Sequence, residues 1–295
     1  MPSSPLSLSP SSPAFLGARE TDSADAVILG APLDLTETFR PGTGAAPTRI
    51  RLVSDVLETY SPRLERDLEE DIALADWGDV ALEGLQMDEA LAAIEETLLA
   101  VPPTAFPLVL GGEHTVALAG VRALRKRYPN LLVLQVDAHA DLRDEYLGVR
   151  VGHATAFRRV LDEVGSGSIV QLGLRSGTRE ELALARDLLH SSPQLTLPWP
   201  LVAARPIYLS IDMDVLDPAY APGTGCPEPG GPTFTELLEF IYSLRCLHVV
   251  GADICEVLPQ YDPADITSVA AAKIARELVL MFAGVSPAKK GNCHG

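Results

Sequence analysis

The chain has 295 residues, 47% hydrophobic and 21% charged, enough apolar material to bury a core of its own, which excludes a disordered chain and a small scaffold held by staples. Its 23 Lys and Arg against 40 Asp and Glu leave a formal charge of −17; such a field repels phosphate backbones and anionic lipid heads, so nucleic acid is an excluded partner and any ligand steered by charge is a cation. Cys226, Cys246, Cys255 and Cys293 have no CxxC spacing, which gives neither a disulfide framework nor a four-thiolate zinc site and points to a reducing cytoplasm.

In chain order, the Ser- and Pro-rich start lacks the basic head and apolar run of an export signal, and residues 1–20 read as a flexible tail. Short β-branched or leucine-rich runs then alternate with stretches of helical period, the pattern of parallel strands joined by crossover helices. Strands are expected at 26–30, 72–75, 106–110, 131–137, 168–173, 206–212 and 247–255. The segment 39–51 is a loop running into a helix at Pro47, the position a first helical turn tolerates. Residues 88–100 place Leu91, Ile94 and Leu98 on one helical face, and 115–128 stops against Pro129. Thr178 with Glu181, and Thr233 with Glu236, have the spacing in which hydroxyl and carboxylate satisfy the free amides of a helix start. A last helix begins near Thr267 or Ser268 and runs through Phe282. No apolar run approaches the roughly 18 to 20 residues of a membrane span. The expectation is one doubly wound α/β domain over 21–285, with a C-terminal tail at 286–295 and ligands bound beyond the carboxyl ends of the strands.

Three of these strands run into polar clusters. The first, FPLVLGGEHT, reaches His114; the second, LLVLQVDAHAD, reaches Asp137, His139 and Asp141; the third, IYLSIDMD, reaches Asp212 and Asp214. Residues two apart on an extended chain project to one side, so each set converges if the strand geometry persists. A lone His after Gly-Gly is more often a loop residue, and a lone DxHxD or DxD often a solvated strand end. Together, at successive strand ends, they point to metal. Burying four carboxylates side by side costs several kcal/mol each unless cations compensate, and two divalent ions balance four aspartates. Oxygen-rich coordination with two imidazoles favours Mn²⁺, with zinc, cobalt and iron left open by ligand type. Two such ions sharing a water would bring its pKa down towards about 7, which is hydrolytic chemistry.

The motifs GGEHT, VDAHAD, SIDMDVLDPAYAPGTGCPEPGG and DICEVLPQYDPADITS resemble, in type, order and spacing, those of the ureohydrolase family and its agmatinase branch. The resemblance runs from Ala26 to Phe282. It implies a three-layer α/β/α sandwich around a mostly parallel sheet of eight strands, the unassigned one lying near 195–197. It implies two Mn²⁺ per chain, one on His114, Asp137, Asp141 and Asp212, the other on Asp137, His139, Asp212 and Asp214, with Asp137 and Asp212 shared. It also makes Asp141 an orienter of the attacking water, His153 a proton relay and Glu256 the acid that grips a guanidinium. From spacing alone His153 is equally a surface residue before a helix, and Glu256 a solvated strand end.

The activity so implied is hydrolysis of agmatine to putrescine and urea, in a homotrimer or homohexamer acting on a small cationic guanidino compound. Guanidinobutyrate, aminopropylagmatine and arginine are the alternative substrates. Arg143 stands where arginases carry an Asn that reads the amino acid carboxylate, which argues against arginine. Asp144, Glu145 and Tyr146 either receive a distal ammonium or form a solvated turn, and Cys226 replaces a hydroxyl by a weaker thiol. A calcineurin-like phosphoesterase is disfavoured because no GNH tripeptide occurs, a single-zinc deacetylase by the full set of six ligands, and a non-enzymatic polyamine-binding protein by the same intact set.

Overall fold

Along the inner strands successive side chains enter opposite cores: Ile28, Leu108, Leu134 and Leu209 face one, Leu29, Val109, Val133 and Tyr208 the other. A strand buried on both faces is what continuous apolar runs such as VIL and LVL encode, and it needs a helical layer on each side. The structure, a computed structural model, describes residues 8–9, 13–21 and 23–284. Its strands are β1 (Leu8–Ser9), β2 (Ala26–Ala31), β3 (Tyr60–Ser61), β4 (Arg66–Asp67), β5 (Leu74–Val80), β6 (Phe106–Gly111), β7 (Leu132–Val136), β8 (Ile169–Leu172), β9 (His190–Ser192), β10 (Ile207–Asp212) and β11 (Val249–Cys255). Its helices are α1 (Ala46–Ser54), α2 (Leu68–Asp71), α3 (Met87–Ala100), α4 (Val116–Arg127), α5 (Ala156–Val164), α6 (Arg179–Leu188), α7 (Trp199–Val202), α8 (Phe234–Ser243) and α9 (Ile266–Phe282).

The main sheet has the order β1-β5-β2-β6-β11-β10-β7-β8-β9. Seven of its eight pairings are parallel, and only β1 lies antiparallel, on β5. Ile50 of α1, Leu237 of α8 and Leu278 of α9 pack on one face, and Leu91 of α3, Val121 of α4 and Phe157 of α5 on the other, so the sandwich has three layers. Late strands β10 and β11 insert between β6 and β7, which brings the ends of those four together at the centre of the sheet.

The eighth parallel strand is His190–Ser192 and not 195–197, which is irregular. This edge strand carries no apolar side chain, so periodicity gives no signal for it. Strand β5 begins later than expected and runs to Val80. Both Thr-x-x-Glu sites are capping boxes, at α6 and α8. The last helix starts one residue early because its cap comes from upstream: Asp262 accepts from the amides of Thr267 and Ser268, both at 2.8 Å.

Residues 13–20, read above as part of a tail, lie on the body. Phe15 is buried and its amide donates to Asp76 Oδ2 (2.9 Å), while the Leu16 amide donates to Ser54 Oγ (2.9 Å). Residues 1–7, 10–12 and 286–295 of the expected tails lie outside the described residues. No helix among the described residues is long and apolar enough to cross a membrane.

The same Asp76 receives Nε (2.7 Å) and Nη2 (2.9 Å) of Arg51, a fully buried side chain of α1 that also pairs with Asp79. Removing one partner of a buried pair leaves an uncompensated charge worth about 3–5 kcal/mol. Arg51→Ala is therefore expected to lower stability by that order in a urea titration, and a loss under about 1 kcal/mol would show that Asp76 is solvated or protonated instead.

Candidate metal centre

The ends of β2, β6 and β11 are stitched together by main-chain bonds. Beyond β6, the Gly112 amide donates to Ala31 O (2.9 Å), Glu113 N to Leu33 O (2.8 Å), and Glu256 N to Gly112 O (2.9 Å). A Cβ at Gly112 would stand 1.9 Å from Leu33 O, so only glycine lets these backbones approach. His114 follows, just before α4, with its amide donating to Glu256 Oε1 (2.7 Å).

The convergence of Asp137, His139 and Asp141 is real, but a turn makes it and not strand alternation. Strand β7 stops at Val136. The His139 amide then bends back to Asp137 Oδ1 (2.6 Å), and Asp141 sits at φ 53°. Glu256 likewise has φ 63°. Left-handed backbone at non-glycine residues is uncommon and clusters at functional sites. Asp212 ends β10, and Asp214 lies one turn on, its amide bonded to Asp212 Oδ1 (2.8 Å).

His114 Nδ1 lies 3.0 Å from Asp137 Oδ2, 3.1 Å from Asp141 Oδ2 and 3.3 Å from Asp212 Oδ2, yet it has no hydrogen-bond partner of good geometry. The other ring nitrogen is committed. Ser210 Oγ donates to Asp253 Oδ1 (2.7 Å) and so accepts from His114 Nε2 (2.9 Å). The network therefore places the imidazole proton on Nε2 and aims the Nδ1 lone pair at three carboxylate oxygens. A proton on Nδ1 could satisfy one of them; a cation satisfies all.

A second cluster adjoins it. His139 Nδ1 is 2.8 Å from Asp214 Oδ2, and ligand atoms of Asp137, His139 and Asp214 lie within 4.8 Å of one another, as do those of His114, Asp137 and Asp141. Asp137 belongs to both groups, and Asp212 joins His114 and Cys255 in a third. Burial, with the charges of Asp214 and Asp137, holds Asp212 well above the usual carboxylate range. Burial and Asp137 push Asp141 up to about 6. Against burial, Asp214 drives the His139 imidazole up to about 11. The protein alone thus holds extra protons here, as expected of ligands awaiting cations. Cys255 is fully buried, which raises its thiol, and its Sγ lies 3.6 Å from Ile211 O and 3.7 Å from Asp253 Oδ1.

Below the acids runs a polar row that motif reading missed. In register across the sheet, Gln135, Ser210 and Asp253 stand side by side. Gln171 donates to Gln135 Oε1 (2.6 Å), and Gln135 to Asp137 Oδ2 (2.7 Å), so this row orients Asp137 as Ser210 orients His114. The signal was a Ser and an Asp within the apolar strands IYLSID and VVGADIC.

Above the acids is a cavity of 330 Å³ whose wall includes Asp141, Asp212, Asp214, Glu256 and His153. His153 is not a member of either aspartate cluster. Its amide (3.0 Å) and Nδ1 (3.2 Å) meet Thr36 Oγ1, which itself donates to Glu113 Oε1 (2.7 Å); its Nε2 lies 3.5 Å from Thr38 Oγ1. Burial holds its imidazole below the ordinary value. Of the segment read as an ammonium receptor, only Tyr146 lines the cavity. Asp144 is exposed and paired with Arg159 (2.6 Å), and Glu145 points to solvent. Arg143 stacks on Tyr146 (4.3 Å) and pairs with Glu181 (3.4 Å). Cys226 lines the wall, its thiol pushed up to about 12 by burial and neighbouring acids. Glu37 and Glu181, singled out by no motif reading as site residues, are wall residues too.

The donor set, four aspartates and two imidazoles with one orphaned lone pair, fits divalent cations. A family model described as "Arginase family" matches residues 24–195 and 198–281. An agmatinase of Bacillus cereus is 43% identical, the match covering 86% of this chain and 90% of that protein. An agmatinase of Bacillus subtilis is 40% identical, covering 91% and 96%. The solved structure of the agmatine ureohydrolase of Thermoplasma volcanium superposes with a TM-score of 0.83 at 34% identity, covering 91% and 93%.

Protons on Asp141 and His139 compete with cations. Manganese affinity, measured by calorimetry on metal-stripped protein, is expected to fall as pH drops through about 6, the value of Asp141, and titrations at neutral pH in buffers of different ionisation enthalpy should show protons released on binding. Ser210→Ala should weaken manganese binding by about 10- to 100-fold. Affinity independent of pH, or unchanged in that variant, would contradict this account of the centre.

Proposed function

This chain belongs to the arginase family, and from that premise we propose that it hydrolyses the guanidino group of agmatine, giving putrescine and urea, at a centre for two Mn²⁺. The observation that carries the reading is the His114 Nδ1 lone pair facing three buried carboxylate oxygens. His114, Asp137, Asp141 and Asp212 would hold one ion, and Asp137, His139, Asp212 and Asp214 the other. When bound, the ions supply the positive charge that makes water acidic enough to be a nucleophile near neutral pH.

The chain's own residues do the rest. Glu256, held by the His114 amide, takes paired N–H groups of the substrate's guanidinium and sets its carbon over the aspartates. Asp141, its carboxylate turned inward by a positive φ, accepts a hydrogen bond from the attacking water and aims it. As the carbon becomes tetrahedral and its C–N bond to the alkyl amine breaks, the amine must gain a proton. His153, on the cavity wall with a depressed pKa, passes protons between the cavity and bulk water. One water is consumed, its oxygen ending in urea.

Substrate preference follows from charge. With the aspartates balanced by two divalent ions, Glu37, Glu181 and Glu256 are the remaining wall carboxylates, against the single arginine Arg143, which Glu181 pairs with. A dication such as agmatine fits such a wall; arginine and guanidinobutyrate bring a carboxylate with no free partner there. The proposal includes a cytoplasmic enzyme assembled as a homotrimer or homohexamer, for which the family resemblance is the support.

With manganese-loaded protein, kcat/KM for agmatine is expected to exceed that for arginine and for 4-guanidinobutyrate by about 100-fold, the worth of roughly 3 kcal/mol in unpaired charge. Preference for arginine would overturn the substrate. Asp137→Asn and Asp212→Asn should each abolish turnover and weaken metal retention; near-normal activity in either would count against the centre. His153→Ala should slow turnover by about 100-fold or more with manganese retained, and loss of metal from it would reassign His153 as a ligand.

A further inference from the structure

Glu37 is a cavity carboxylate with no role in the chemistry above, and the loop that carries it is held rigidly. Asp34 Oδ2 accepts from the Gly42 amide (2.8 Å), closing the loop. Glu113, fully buried, accepts at Oε2 from the amides of Leu35 and Thr36 (both 2.7 Å) and at Oε1 from the hydroxyls of Thr36 (2.7 Å) and Thr115 (2.6 Å). Three of the four bonds to that carboxylate fix the two residues just before Glu37, and the fourth ties it to Thr115. The Glu37 side chain is thereby delivered to the cavity, and its Oε1 is buried without a hydrogen-bond partner.

Its neighbour is Glu256. A Cβ placed on Gly225 would lie 3.4 Å from Oε2 of Glu256 and 3.4 Å from Oε2 of Glu37, so the two carboxylates flank one spot, and glycine keeps it clear. No lysine or arginine among the described residues forms an ion pair with either. Nearby Arg40 sits instead over the rings of Phe39 and Tyr261, 4.8 Å from each. Two adjacent carboxylates repel each other unless a proton or a cation lies between them, and a cation with several donors would also satisfy the unused buried oxygen.

Resting on the hydrolase reading above and deepening it, we propose that Glu37 is a second guanidinium-binding carboxylate that works with Glu256. An alkylguanidinium presents five N–H groups in one plane. Glu256 takes a pair from one edge and Glu37 a pair from another, so the cation is clamped in its plane while its carbon stays open to attack from the aspartate side. The clamp acts on the end common to every guanidino compound. It is distinct from whatever reads the far end of the substrate.

The test compares Glu37→Gln and Glu37→Asp with the unaltered manganese-loaded enzyme, using agmatine as substrate and 4-guanidinobutyrate as substrate or competitive inhibitor. The two compounds share the guanidinium and differ in the sign of the distal charge. For Glu37→Gln, KM for agmatine and KM or Ki for guanidinobutyrate should rise together by about 10- to 100-fold, with kcat changed far less, as for uniform binding. Glu37→Asp should recover part of the loss, and manganese content and Tm should not change. A rise confined to agmatine would assign Glu37 to the distal ammonium and overturn the proposal. So would constants unchanged in Glu37→Gln, or a loss of manganese. Failure of the unaltered enzyme to turn over agmatine would defeat the hydrolase reading itself, an outcome separate from any effect of the variant.

Discussion

Negative charge packed into a dry site is the constraint from which this molecule is best understood. Asp137, Asp212 and Asp214 are each at most 3% exposed, and the Nδ1 lone pair of His114 faces the first two together with Asp141. Uncompensated, such a cluster is worth several kcal/mol of destabilisation per carboxylate, a cost that divalent cations would offset. Stability and chemistry are therefore coupled through the same charge. The side chains beneath are chosen to keep that geometry, with Ser210 and Asp253 fixing one imidazole tautomer and Gln135 and Gln171 fixing one aspartate.

The fold serves this constraint by topology. Parallel strands all end at one edge, and inserting β10 and β11 between β6 and β7 places four such ends side by side. Ligands from distant parts of the chain meet without a long loop. Where the regular geometry falls short, the backbone departs from it: Asp141 and Glu256 take up left-handed conformations, and Gly112 lets a second strand end pass close by. The apolar layers on either face make these departures tolerable, because the strands beneath are buried and cannot shift in register without turning every side chain to the wrong core.

Much of this was legible in the sequence, for identifiable reasons. The inner strands announce themselves because burial on two faces demands unbroken apolar runs, and the Thr-x-x-Glu boxes at Thr178 and Thr233 because capping is a local interaction. The aspartate and histidine spacing revealed the centre, though the reason given for it was incomplete, since a turn stabilised by Asp137 and not strand alternation brings Asp141 to His114. Illegible features were those set by tertiary context. Strand β9 owes its place to pairing with β8 and not to its own residues. Asp144 and Glu145 lie next to the motif but turn outward, where Arg159 takes the first of them, while Glu37, from another loop, and Glu181, from the first turn of α6, reach the cavity. Nothing local distinguishes an acid that lines a pocket from one that faces water.

The account stands most directly on the presence of two cations at the ends of the central strands. Crystals grown with saturating manganese and measured across its absorption edge should give two anomalous peaks per chain, one beside His114 and one beside His139, separated by about 3.5–4 Å as in other paired-metal sites. A single peak, or none with the aspartates still gathered, would contradict the claim that a pair of divalent ions neutralises this site.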